Sequence, residues 1–331
     1  MSAITTPVLA DIPQLRPLNI LRDLPAVADL VETCFAATLD ADGHRYIQQM
    51  RKAGNDNLFL RWATTAVETA SMPLSGYVWE ENGQIIGNVS VIPYRHEGRR
   101  YYLIANVAVL PDQRRRGIGR ALTVAAMHHA QQRHADQIWL HVRDDNPGAI
   151  ALYLSLGFVE RARRTTWQAA PDRGAGIDGL GAPVGPRQVR DWNQQHAWLD
   201  RAYPEALTWY QSMPWLSLRP GLLPSFYRMF LDFETRHWTV HAGEKLQAAL
   251  TWQAGSNYND RLWIAAPPEG SETAVTALLL NARRALAWRR KLILDYPGGE
   301  YAGAIRAAGF QAQRTLLWMQ AVETSAGESR N

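Results

Sequence analysis

The residues whose types and spacing most directly suggest chemistry form one run, Val107-Ala108-Val109-Leu110-Pro111-Asp112-Gln113-Arg114-Arg115-Arg116-Gly117-Ile118-Gly119-Arg120-Ala121-Leu122. It reads as an apolar strand, a turn at Pro111 and Asp112, and a glycine-bearing loop that opens a helix. The first N–H groups of such a helix lack intrahelical partners and point the same way, and the helix dipole adds partial positive charge there. Phosphate suits that end of a helix. Gly117 and Gly119 let a ligand oxygen approach the backbone closely. Arg114, Arg115, Arg116 and Arg120 supply cations that can pair with phosphate oxygens. The spacing predicts a pyrophosphate cradle; a solvated arginine-rich turn before an ordinary helix is the plain alternative. A dinucleotide-binding loop would need a third glycine in G-x-G-x-x-G, and a P-loop would need a lysine after its last glycine; this run has neither.

A second constellation follows, Asn146-Pro147-Gly148-Ala149-Ile150-Ala151-Leu152-Tyr153-Leu154-Ser155-Leu156-Gly157-Phe158. Arg114-x-x-Gly117-x-Gly119 after Asn106-Val107-Ala108-Val109 resembles the R/Q-x-x-G-x-G/A signature of the GNAT acetyltransferase superfamily. The run from Asn146 to Phe158 is similar to that family's N-x-x-A-x-x-x-Y-x-x-x-G-F. The resemblance covers residues 14–168 and implies acetyl transfer from acetyl-CoA to a primary amine. It implies that the amides of residues 114–120, Ile118 among them, hold the pyrophosphate. The pantetheine arm would pair like an added strand with Val107, Ala108 and Val109. The thioester would enter a gap between residues 106–110 and 138–143. The Val109 N–H would face the developing oxyanion. Tyr153 would protonate the departing thiolate, as a phenol of ordinary pKa near ~10 can. Asn146 would bond the cofactor arm or cap the helix at Ala149, and both readings stay open. Some relatives carry a glutamate base on the central strand, but Leu103 and Asn106 stand there. Glu80, His96, Glu97 and His141 are the nearby substitutes, His141 preferred because its strand borders the gap. A chain of waters is an equal alternative, so no base is assigned.

Positioning these residues requires a mixed α/β unit. Strands are predicted at 16–20, 75–79, 84–93, 101–110, 138–143 and 158–168. Helices are predicted from a cap at Asp23 to residue 38, from Gly119, and over 149–156. Cys34 falls in the apolar pattern of the first helix, as a packed thiol. Residues 43–72, with His44, Tyr46, Phe59 and Trp62, would line the acceptor side in the resembled family. Gly and Pro then crowd residues 169–185, which read as a linker.

Beyond it the chain repeats itself weakly. Residues 243–252 echo 83–91, 261–267 fall where 104–111 fell, 291–296 echo 137–143, and 304–310 echo 152–158. In the second copy Pro268-Glu269-Gly270-Ser271-Glu272 replaces the cradle, and Gly303 or Ala304 stands where Tyr153 stood. The expected fold is therefore α/β, with two tandem GNAT-like mixed-sheet domains. These are an acetyl-CoA-binding domain at 14–168 and a degenerate, structural one at 186–322. The aromatics of residues 186–241 are expected to build the second core, with a few walling an acceptor pocket.

A formal charge of +4 over 331 residues, with its one basic cluster on the cradle, argues against nucleic acid. No apolar run approaches the ~18 residues of a membrane span. Residues 1–6 lack a signal peptide's basic and apolar pattern. The single cysteine excludes an intrachain disulfide, and a cytoplasmic protein is expected. His128, His129 and His134 lack metal-ligand spacing, so no metal is expected. The expected acceptor is a small-molecule amine rather than a protein N-terminus or lysine, in a monomer or homodimer. A non-catalytic acyl-CoA sensor is the competing class.

Overall fold

The computed structural model describes residues 12–39, 41–55, 74–174, 182–210, 215–220, 234–255 and 259–322. The chain divides into two compact units, Met1–Arg161 with Trp318–Asn331, and Ala162–Leu317. The division falls inside a strand rather than in the Gly/Pro-rich stretch at 169–185. The reason is hydrogen bonding: Arg164 to Ala169 of that strand are registered against Leu292 to Pro297 of the second unit.

Unit 1 contains β1 (Leu15–Pro17), α1 (Ile20–Phe35), α2 (Ala41–Asn55), β2 (Ser75–Glu81), β3 (Gln84–His96), β4 (Arg99–Val109), α3 (Ile118–Gln132), β5 (Gln137–Arg143) and α4 (Pro147–Ser155). β6 (Phe158–Ala169) starts in it. The strands lie in the order β1-β2-β3-β4-β5, antiparallel except for the parallel β4–β5 pair. β2 and β3 are joined by Asn82-Gly83, both at positive φ (51° and 77°), as a tight hairpin turn between right-twisted strands demands. Ile86 to Pro93 of β3 are all buried, so this strand is the spine of the unit.

α1 begins at Ile20, a turn before the predicted cap at Asp23. The Asn19 side chain accepts the Leu21 N–H and caps the helix. Asp23 reaches back instead and accepts the Asn19 N–H at 2.8 Å. It also takes both terminal nitrogens of Arg16, at 2.6 and 3.0 Å, and Nε of Arg22 at 2.9 Å. Ile20, Leu24, Val27, Ala28, Leu30 and Val31 pack on Ile47 and Met50 of α2 and on Val78 and Ala108 of the sheet, with Cys34 at the edge. On the opposite face α3 lies so close to β3 that a Cβ on Gly87 would come within 3.0 Å of Ile118 and Leu122.

Unit 2 repeats this order of elements. β7 (Val184–Pro186), α5 (Trp192–Ala202), β8 (Thr235–Ala242), β9 (Lys245–Gln253), β10 (Asn259–Ala265), α6 (Glu272–Ala285), β11 (Lys291–Pro297), α7 (Ala302–Ala307) and β12 (Gln311–Ala321) correspond to β1, α1, β2, β3, β4, α3, β5, α4 and β6. Its strands run β6-β11-β10-β9-β8-β7, with β10 and β11 parallel. The weak echoes in the sequence thus fall on matching elements.

Asp23 is 2% exposed, and its charge has partners only in the folded state. Burial pushes its carboxyl up, but the hydrogen bonds from Arg16, Asn19 and Arg22 outweigh that and hold it below the ordinary range. A depressed carboxyl stabilises the fold above its unfolded pKa of about 4, and that contribution is lost as pH falls through the folded value. Asp23→Ala is expected to cost about 3 kcal/mol at neutral pH and to flatten the acid limb of stability, as read by urea unfolding between pH 3 and 7.

Candidate functional site

Among the described residues, no side chain caps the first turn of α3. Gly117, the N-cap residue, is left-handed at φ 81° and supplies no side-chain cap. Arg115, two residues earlier, is also left-handed, at φ 63°. A Cβ on Gly117 would meet nothing within 4 Å, and one on Gly119 would lie 3.6 Å from Leu152. The space before these amides is therefore open on the protein side. The four arginines are not equivalent. Arg116 pairs with Glu81 at 2.9 Å and also bonds Gln113. Arg120 donates to the Ser155 hydroxyl at 2.6 Å, and Arg114 donates through Nε to the Val109 carbonyl at 3.2 Å. Arg115 stands exposed. Ile118 contributes backbone only, since its side chain is 1% exposed.

β4 delivers the chain to that loop with one edge bare. Its parallel pairing with β5 runs from Tyr101↔Gln137 to Ile104↔Leu140 and stops. Beyond, the strand pairing of β4 among the described residues is with β3 (Asn88↔Ala108 and Gly87↔Val109). The Leu110 N–H donates to Ile86 O at 3.0 Å. Amides alternate sides along a strand, so the Val109 N–H points away from β3, to the side that β5 has left. The Val109 carbonyl accepts from Cys34 Sγ at 3.3 Å as well as from Arg114. Burial pushes the Cys34 thiol up, so it stays a protonated donor.

Tyr153 lies on α4, where Asn146 caps the helix by accepting the Ala149 N–H at 3.2 Å. Of the two readings of Asn146, the cap is the one with a visible partner. Tyr153 is 6% exposed, edge-on to Phe158 at 6.0 Å between centroids. Burial pushes its pKa up to about 12, which corrects the ordinary value assumed from sequence.

An uncapped helix start, a bare strand edge and a buried tyrosine thus fall in one unit. The model for the acetyltransferase (GNAT) family matches residues 34–158. Unit 1 carries a GNAT-family domain. The chain is 43% identical over 67 residues to the [ribosomal protein bS18]-alanine N-acetyltransferase of Escherichia coli strain K12, spanning 20% of this chain and 45% of that protein. It is 44% identical over 66 residues to the mycothiol acetyltransferase of Saccharomonospora viridis, spanning 20% of this chain and 22% of that protein. The chain thus spans less than half the length of these curated relatives. Across both units the fold is that of a GCN5-related N-acetyltransferase from Sphaerobacter thermophilus, with a TM-score of 0.52 at 13% identity, covering 93% of this chain and 96% of that one.

Within the GNAT domain the candidate bases separate sharply. His96 and Glu97 sit at the turn that starts β4, with Glu97 left-handed at φ 49°. β4 then runs from Arg99 to Val109, about 33 Å at strand rise, before the cradle is reached. Neither can act there. Glu80 is held by Arg16 and Arg22 at 2.5 and 3.0 Å. His141 is the residue on β5 just past the last pair with β4, stacked on Trp318 at 4.0 Å. Phe59 and Trp62 lie outside the described residues.

Unit 2 shows the same cleft filled from within. β10 and β11 pair from Asn259↔Lys291 to Leu262↔Leu294 and stop, as in unit 1. Tyr203, which closes α5, packs edge-on to Trp263 at 5.0 Å and lies 5.5 Å from Trp215 and 6.3 Å from Tyr296. Arg201 pairs with Glu300 at 2.9 Å and donates to Ala266 O. Ser271 caps α6 by accepting the Ala274 N–H at 3.1 Å. The Tyr301 hydroxyl donates to Pro267 O at 2.5 Å, and a Cβ on Gly270 would meet that hydroxyl at 2.3 Å. Tyr203 is a packing residue here, and sequence reasoning had no signal for where its ring goes. Tyr203→Ala is expected to lower stability by about 3–5 kcal/mol, the cost of a truncated core aromatic, in urea unfolding.

Proposed function

We propose that the GNAT domain transfers the acetyl group of acetyl-CoA to a primary amine by direct attack, with a small molecule as acceptor. The observation that carries this reading is the pairing of an uncapped α3 N-terminus with the bare edge of β4. The amides of residues 117–120 bind the pyrophosphate, with Arg115 free to reach it. The backbone of Val107, Ala108 and Val109 pairs with the amides of the pantetheine arm. The amine nitrogen attacks the thioester carbon, and the Val109 N–H stabilises the oxyanion. The C–S bond breaks, and Tyr153 donates a hydrogen bond to sulfur as charge collects there. The ammonium has by then lost its proton to water or to His141. The attacking nitrogen gives up its second proton to water as the intermediate collapses, the thiolate takes a proton from water beside Tyr153, and the products leave as an amide and a thiol.

A buried phenol near 12 is a poor full proton donor but is always protonated at neutral pH, so its O–H is present at every turnover. Tyr153→Phe is expected to lower kcat about 10²-fold or more while the Kd for acetyl-CoA holds. kcat of the native enzyme should show no loss from Tyr153 ionisation between pH 8 and 10. A sensor would show unchanged properties in the variant.

Support for a small acceptor comes from a cavity of about 530 Å3 between α1 and the β2–β3 hairpin, reaching Leu110 beside the cradle. That volume is in the range of small-molecule sites. Asp29 on its wall is paired with Arg51, and Glu80 with Arg16 and Arg22, so the cavity would select by size and shape rather than by an unmet charge. A peptide N-terminus is the second reading, favoured by the name of the bS18-alanine relative. A screen of small amines and of peptides with free N-termini, followed by thiol release, separates them.

Acetyl-CoA at ~100 times its Kd should stabilise the protein by about 2.7 kcal/mol, a shift of a few degrees in Tm. Gly119→Glu is expected to abolish that shift, because a carboxylate would stand where phosphate binds. A shift of equal size in the variant would remove the cradle from the account.

A further inference from the structure

β3 is an apolar strand interrupted by two polar residues, Asn88 and Ser90, within its buried stretch. Both lie on the α1 face, since Gly87 between them and the hairpin faces α3 and side chains alternate along a strand. Asn88 is 0% exposed and Ser90 1%. Both turn to the same residue of β4. Asn88 Nδ2 donates to the backbone oxygen of Asn106 at 3.0 Å, and Asn106 Nδ2 donates to Ser90 Oγ at 3.2 Å.

Asn106 is where β4 takes its extra residue. Asn88 pairs with Ala108 but Ser90 with Ala105, so three steps of β4 oppose two of β3. Asn106 is left-handed at φ 51°, a conformation that asparagine tolerates better than most residues. This bulge follows directly on Ile104, the last residue of β4 paired with β5. It decides which way the amides of Val107, Ala108 and Val109 face.

The amide of Asn88 is satisfied on one side only. Its Oδ1 is buried and accepts no hydrogen bond from any described residue. A buried unpaired acceptor costs stability. An interaction kept at the expense of stability is one that serves geometry.

We propose that Asn88 is a positioning residue of the acyl-CoA site. It clamps the Asn106 carbonyl, Ser90 holds the Asn106 side chain, and together they fix the bulge that presents the bare edge of β4 to the pantetheine arm. Asn88 does not touch the reacting atoms. The inference rests on the acetyl-CoA reading of unit 1.

The test is Asn88→Leu, an isostere without donor or acceptor, measured for Tm without ligand and for acetyl-CoA affinity by calorimetry. Tm is expected to change little, because relief of the unpaired Oδ1 offsets the donor lost to the Asn106 carbonyl, while the Kd for acetyl-CoA and its KM rise about tenfold. Ser90→Ala serves if the leucine variant fails to fold, with a rise of several-fold expected. A variant that binds acetyl-CoA as the native protein does overturns the proposal. So does one that loses Tm while its folded fraction binds normally, since that is a merely structural role. Absence of acetyl-CoA binding to the native protein would overturn the functional reading itself, before any variant is compared.

Discussion

The constraint on which unit 1 turns is a strand that loses its neighbour. Backbone N–H and C=O groups are obligatory hydrogen-bonding groups, and β4 has partners on both sides only as far as Ile104. From there to Leu110 one edge is open. The fold keeps that edge from collapsing in three ways. β3 continues to hold the other side, a bulge at Asn106 turns the chain, and Arg114 with Cys34 occupies the Val109 carbonyl while leaving its N–H. The helix that follows starts without a side-chain cap. Two sets of donors thus lie in sequence along one path, and the proposed acetyl-CoA site rests on that arrangement.

Unit 2 shows the same topology with its gap occupied by the chain's own side chains. The strands splay at the matching register, but the open donors are met by the chain itself. Ser271 caps the helix, Tyr301 crosses the loop, and Tyr203 with its aromatic neighbours packs the gap. Glu272 opens the helix with a charge that phosphate would avoid. The difference between a binding cleft and a core is carried by a handful of side chains on a common scaffold.

Much of this was legible in the sequence because it rests on local rules. Gly117 and Gly119 at a strand-to-helix junction, Asn82-Gly83 in a hairpin and the matched order of elements in the two halves all write themselves into short windows. What was not legible depends on distant pairing. The strand at 158–169 reads as the end of the first domain, yet most of it pairs with β11. His96 and Glu97 look close to the cleft along the chain, but the antiparallel hairpin sends them to its far end. Asn88 reads as one polar residue in an apolar strand. Its meaning appears only when the register sets it against Asn106. The ring of Tyr203 fills a gap formed by strands 60 to 90 residues away in sequence.

The central claim is that one cleft is open and its duplicate is filled. The most direct measurement is the stoichiometry of acetyl-CoA binding by titration calorimetry on the intact chain. One site per chain, abolished by Gly119→Glu, is the predicted result. Two sites per chain, or one site that survives the substitution, would contradict the account by placing a ligand in unit 2.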